Sequence, residues 1–182
     1  MIHRVCVRLL AAVPLVVAGA CATVSVGADH EAGVRFDQYR TFGWEAQDAL
    51  PVGDPRLDNN PFFDSRVRGA VELELAAKGL RLVTDTPDLL IHYHASVQQR
   101  IDVIKRDESR GYITPDYGQP STVVEFEEGT IIVDVADAKS KKILWRGWAQ
   151  TDVGGLMNQP REMEKRIRTA MQKMITEFPR TP

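Results

Sequence analysis

From Leu89 to Val103 the chain alternates without interruption: Leu89, Ile91, Tyr93, Ala95, Val97, Ile101 and Val103 fall on one face, and Leu90, His92, His94, Ser96, Gln98, Arg100 and Asp102 on the other. A period of two predicts a long strand with one face on a core and one largely wet, as in antiparallel sheets. Thr122 to Val135 continues as a strand, with Gly129 marking a bulge, and the polar turn Asp137 to Lys142 leads to an antiparallel partner over Ile143 to Thr151. Two segments change the period to that of a helix. Val67, Ala70, Val71 and Leu75 follow a candidate N-cap at Asp64 and stop at Lys78-Gly79. Met163, Ile167, Ala170, Met171, Met174 and Phe178 form a stripe behind Pro160, predicting a closing helix. Nearer the start, Thr23 to Val26 alternates as a short strand, Gly27 to Gly33 reads as a turn, and Arg40 to Trp44 reads as a strand that ends an aromatic cluster of Phe36, Tyr39, Phe42 and Trp44. Two stretches have no period: about 45–63, with Pro51, Pro55 and Pro61 among Asp and Asn, and about 104–121, rich in charge, Gly and Pro. Both are expected to be loops, the second a mobile one. The order strand, strand, helix, three strands, helix predicts an α+β domain: a two-layer, mainly antiparallel β-sheet with two helices packed on one face.

The first twenty residues belong to another pattern. Arg4 and Arg8 precede an uncharged run from Leu9 to Ala20, the order of a secretory signal peptide over 1–20, and twelve apolar residues are too few for a spanning helix. The run closes as Val17-Ala18-Gly19-Ala20-Cys21, which resembles the site where bacterial lipoprotein signal peptidase cleaves before a cysteine that takes lipid. Ala18 stands where that pattern has leucine, and Ala18-Gly19-Ala20 also fits ordinary signal peptidase, which leaves a soluble periplasmic protein as the alternative. The resemblance assigns Cys21 as the lipidation residue, and Ala22 after it, in place of an aspartate, favours the outer membrane. The domain, 21–182, then faces the periplasm with almost no tether, since the strand pattern begins two residues after the anchor.

Composition narrows the partners. Cleavage removes Cys6 and two arginines, so Cys21 is the sole remaining cysteine and the net charge moves from −2 to −4. An internal disulfide is thereby excluded, and a chain of this size is long enough to stand on its core. The acidic balance and the lack of a basic patch with interleaved aromatics argue against nucleic acid. The expected partners are the membrane, through the anchor, and another envelope protein.

Several spaced motifs occur in order: Phe36-x-x-Tyr39-x-Thr41-Phe42-x-Trp44; Asp54-Pro55-Arg56-Leu57-Asp58-Asn59 before Asp64-Ser65-Arg66-Val67-Arg68; Pro87-Asp88-Leu89-Leu90-Ile91-x-Tyr93-His94; and Gly129-Thr130-Ile131-Ile132-Val133-Asp134 with Trp145-Arg146-Gly147. Together they resemble the bacterial lipoproteins of domain of unknown function 4136 over nearly the whole mature chain. The resemblance implies an exported, usually lipid-anchored α+β domain and brings no established activity. The element order also resembles periplasmic lipoproteins that assist outer-membrane assembly, a likeness of fold, which does not carry function.

Candidate chemistry is sparse. No G-x-S-x-G, phosphate-cradling glycine loop or catalytic cysteine occurs, so no catalytic residue and no cofactor are assigned, and the leading expectation is a non-enzymatic binding or envelope-assembly module. His92 and His94, two apart on one strand face, can reach one metal ion, but a catalytic zinc needs a third ligand. They are the candidates for an alternative, a metal-dependent envelope enzyme; the competing reading is two polar residues on a wet face. Asp54, Asp58, Asn59, Asn60 and Asp64 concentrate oxygen ligands of the kind calcium takes, but the EF-hand spacing fails, and the favoured reading is Asx turns with Asp64 capping the helix. Arg146 and Trp148 suit a lipid or glycan headgroup, with a bulge at Gly147 bringing Trp145 to the same face. Against this stands the reading in which one tryptophan is core and the other covers the sheet edge. Lys139, Lys141 and Lys142 read as a solvated turn.

Overall fold

The computed structural model describes residues 24–45, 57, 60–104 and 122–179, with backbone alone at 102–104 and 122–124. Six strands, β1 (Ser25–His30), β2 (Thr41–Trp44), β3 (Arg81–Leu82), β4 (Leu89–Ile104), β5 (Thr122–Asp137) and β6 (Ile143–Asp152), form one sheet in the order β1-β6-β5-β4-β2-β3. Helices α1 (Pro61–Ala77) and α2 (Pro160–Thr176) pack against each other and on one face of it. The domain is α+β with a mixed, mostly antiparallel sheet. The four strands β1, β6, β5 and β4 pair antiparallel, while β2 runs parallel to both β4 and β3. Parallel neighbours need a crossover, and α1 supplies it between β2 and β3.

Local chemistry explains the boundaries. Asn60, not Asp64, caps α1: its side-chain oxygen accepts from the Phe62 and Phe63 N–H groups, and Pro61 occupies the first turn, where a missing N–H costs nothing. The helix thus begins inside the stretch expected to be loop. Asp64 instead receives the Arg68 guanidinium at 2.9 Å and the Tyr93 hydroxyl at 2.9 Å, which ties α1 to β4. The far end stops at Gly79, whose φ of +78° suits glycine, with the Leu80 N–H donating back to the Leu75 carbonyl. Phe63, Val67, Val71 and Leu75 give α1 its buried stripe; α2 buries Met163, Ile167, Ala170, Met171, Met174 and Ile175. Full burial of each larger side chain stabilises by roughly 1.5–3 kcal/mol. At the core, Trp145 stacks edge-on to Phe178 with ring centroids 5.4 Å apart.

Asp88 sets the register of β2 against β4. Its carboxylate accepts the Arg40 and Thr41 N–H groups at 2.9 and 3.0 Å, while the Asp88 N–H donates to the Thr41 hydroxyl. The Arg40 N–H, more than any other cause, holds this carboxyl below its ordinary range.

The glycines differ from expectation. Gly27 lies within β1 and not in a turn, directly across from Trp148. A Cβ there would meet the indole at 2.3 Å, so the residue is small because a ring lies on its backbone. Gly129 pairs in register with Val97 and Thr151; the sheet's irregularity falls between Val135 and Ala136 instead. Leu89, Ile91, Tyr93 and Ala95 are buried as the alternation predicts, yet Ile101 is 62% exposed. The last rung between β5 and β6 is Glu128 with Asp152, and beyond it no third strand among the described residues pairs with β4 and β5.

Candidate functional site

Positions 89, 91, 93 and 95 of β4 point to the helices, so His92 and His94 point to the opposite face. Among the described residues no helix or strand covers that face. The register builds two adjacent rungs across it: His92, Asp134, Arg146 and Asp29, then His94, Ile132, Trp148 and Gly27. Asp134 is buried at 5% exposure, the one charged or polar side chain in that state among the described residues. Arg146 matches it with two bonds, Nε to Oδ1 at 2.6 Å and Nη2 to Oδ2 at 2.7 Å, a bidentate pair that raises the guanidinium pKa further. Burial pushes the His94 pKa down, helped by His92 and Arg146 and opposed by Asp134. The two imidazoles face each other with centroids 4.3 Å apart and planes tilted by 58°.

Trp148, 37% exposed, rests over Gly27 on this face, one rung from Arg146. Trp145 does not join it. The strand is regular at Gly147, and Trp145 is 1% exposed in the core on the helix side. A Cβ on Gly147 would lie 2.3 Å from that ring and 2.6 Å from Met174 Cγ, so this glycine admits the tryptophan and not a bulge. The arrangement is an open polar and aromatic surface suited to binding: donors from Arg146, an aromatic face from Trp148 and two imidazoles.

Other candidates resolve differently. Among the described residues no third His, Cys, Asp or Glu joins His92 and His94 in a metal-binding cluster. Asn60 and Asp64 are committed to the cap and to Arg68 and Tyr93, and Asp54, Asp58 and Asn59 lie outside the described residues, as does Cys21. Lys141 and Lys142 pair with Glu45 and Glu31, fastening the β5–β6 turn to its neighbours. On the helix side an apolar cleft of about 40 Å³, lined by Phe63, Val97, Ile131, Met157, Met163 and Ile167, opens beside Arg166. The Asp134–Arg146 pair escaped the sequence reading. Its signal was present, a lone acid on the wet face of an otherwise apolar run, but the partner strand's register was needed to name Arg146.

No described helix is long and apolar enough to cross a membrane. No curated protein matches the chain. Among solved structures, a PDZ domain protein from Parabacteroides distasonis is 19% identical with a TM-score of 0.52; the match covers 88% of this chain but 36% of that one, so the chain spans about a third of its length. A PelC dodecamer from Paraburkholderia phytofirmans is 11% identical with a TM-score of 0.45, over 85% of this chain and 96% of that one. The first likeness concerns the fold alone. The family model described as Domain of unknown function (DUF4136) matches residues 26–180, from within β1 to beyond α2, and the chain belongs to that family.

Proposed function

We propose that the protein is an exported, non-enzymatic binding module, tied to the outer membrane by lipid on Cys21 with its domain in the periplasm, and engaging another envelope component through the open face of its sheet. The observation that carries the binding reading is the pairing on that face of an exposed Trp148 with Arg146, whose guanidinium is fixed by the buried Asp134. A surface tryptophan above a glycine and beside an oriented arginine is pre-organised for contact, because little side-chain freedom is lost on binding. The anchoring reading rests on the Arg4 to Ala20 pattern and on Cys21. A lipid or glycan headgroup is the second reading, supported by the same Arg146 and Trp148.

A photo-crosslinking residue placed in living cells at Trp148, with a control at Gln172 on the exposed side of α2, tests the surface. Adducts to one envelope protein from position 148 alone are expected; adducts from position 172 alone, or from neither, refute the reading. Labelled fatty acid incorporated into the wild type and lost in Cys21→Ala is expected for the anchor. Continued incorporation in that variant overturns the assignment.

A further inference from the structure

We infer that His92 and His94 form a two-imidazole site for a divalent transition-metal ion on the open sheet face. The inference stands on these two residues and is independent of how the chain is anchored. Their spacing on one strand brings the rings to a centroid separation of 4.3 Å with a 58° tilt. An ion bound at the usual metal–nitrogen distance of about 2.0–2.1 Å needs one nitrogen from each ring at roughly 3 Å from the other, a separation compatible with rings whose centroids are 4.3 Å apart. Both rings are partly buried, yet none of their nitrogens is among the enclosed, partnerless side-chain atoms, so the nitrogens stay open to solvent and to an incoming ion.

The surroundings neither compete for a cation nor carry a net charge that repels it. Asp134 is the register partner of His92, and its carboxylate is held by Arg146, so the two charges offset each other beside the site. Ile132 and Trp148 continue the His94 rung and give it an apolar flank. With nitrogen donors and no third protein ligand among the described residues, the site prefers ions that take imidazole readily. The order is copper(II) first, then nickel(II) and zinc(II), while calcium and magnesium require oxygen donors. The remaining coordination positions face solvent and are open to water or to a donor from a bound partner.

Full-length protein purified in detergent is titrated calorimetrically with copper(II), zinc(II) and calcium(II), and the copper complex is examined by electron paramagnetic resonance. Expected are one copper(II) per chain with coupling to two imidazole nitrogens, weaker zinc(II) binding and no calcium(II) heat. His94→Gln should retain the wild-type circular dichroism, lower copper affinity by at least about tenfold and leave one coupled imidazole, with His92→Gln equivalent and His30→Ala without effect. Copper binding and coupling unchanged in the folded His92→Gln/His94→Gln double variant, or no transition-metal binding by folded wild type at micromolar concentration, overturns the site.

Discussion

Alanine at Gly147 and alanine at Gly27 introduce the same nominal collision with opposite consequences. At Gly147 the added Cβ lies 2.3 Å from Trp145 Cη2, 2.6 Å from Met174 Cγ and 2.7 Å from Met174 Sδ. Both neighbours are fully enclosed, so neither ring nor thioether has space to withdraw. At Gly27 the Cβ lies 2.3 Å from Trp148 Cζ2, but that indole borders solvent and can lift away. Overpacking a closed core costs about 1–3 kcal/mol. Removing glycine from a strand returns about 0.5–1 kcal/mol in either case. The net expectation is a loss of about 0.5–2 kcal/mol for Gly147→Ala and a change within about 0.5 kcal/mol for Gly27→Ala. At about 2–4 °C per kcal/mol for a domain of this size, thermal unfolding followed by far-UV circular dichroism should show Gly147→Ala lower by about 1–8 °C and Gly27→Ala nearly unchanged. An equal fall in both, or a larger one for Gly27→Ala, would refute the argument that enclosure of the neighbour decides the cost.

Arg146→Ala should destabilise by about 1–3 kcal/mol in urea unfolding, because the buried Asp134 carboxylate loses both donors; the half-exposed position of Arg146 lets water return and keeps the figure at the lower end. Adding Asp134→Ala should recover part of that loss, and no recovery would show that the pair is not coupled. Asn60→Ala should cost about 1 kcal/mol and speed hydrogen exchange in the first turn of α1, whereas an unchanged first turn would assign the cap elsewhere. The folded-state pKa of Asp88 is depressed, so the stability this carboxylate contributes is fully present above its unfolded value of about 3.9 and is lost as pH falls through the lower folded value. Asp88→Asn should therefore be less stable than wild type at neutral pH, with the difference shrinking on acidification below about pH 4. A difference that stays constant would remove the charge from the explanation.

Periodicity was the readable part of this chain. The β4 face and the α2 stripe follow directly from spacing, since burial against a flat neighbour imposes a period of 2 or 3.6 on every residue involved. What spacing could not convey was partnership. Gly27 looks like a turn residue until Trp148 is placed across from it. Asp64 looks like a cap until Asn60 takes that role and Tyr93 reaches over from β4. Strand β3 has two residues, too few for any alternation, and the parallel setting of β2 depends on a crossover and on the Asp88 clamp, both non-local. For the candidate site, His92 with His94 and Arg146 with Trp148 were each visible as positions two apart. Only the strand order shows that the pairs share one face on neighbouring rungs.

Val24, whose side chain is buried and whose carbonyl receives Lys173 Nζ at 3.5 Å, leads directly into edge strand β1. With the lipid on Cys21 as proposed, any tension between membrane and domain acts on the Ser25 end of that strand. Force directed along β1 shears its rungs with β6, Ser25–Gln150 through His30–Trp145, so that they share the load together. Force directed across the strand peels them one after another, starting at Gln150. The same edge is therefore strong or weak according to the angle at which the domain is held, and its orientation on the membrane acts as a mechanical setting.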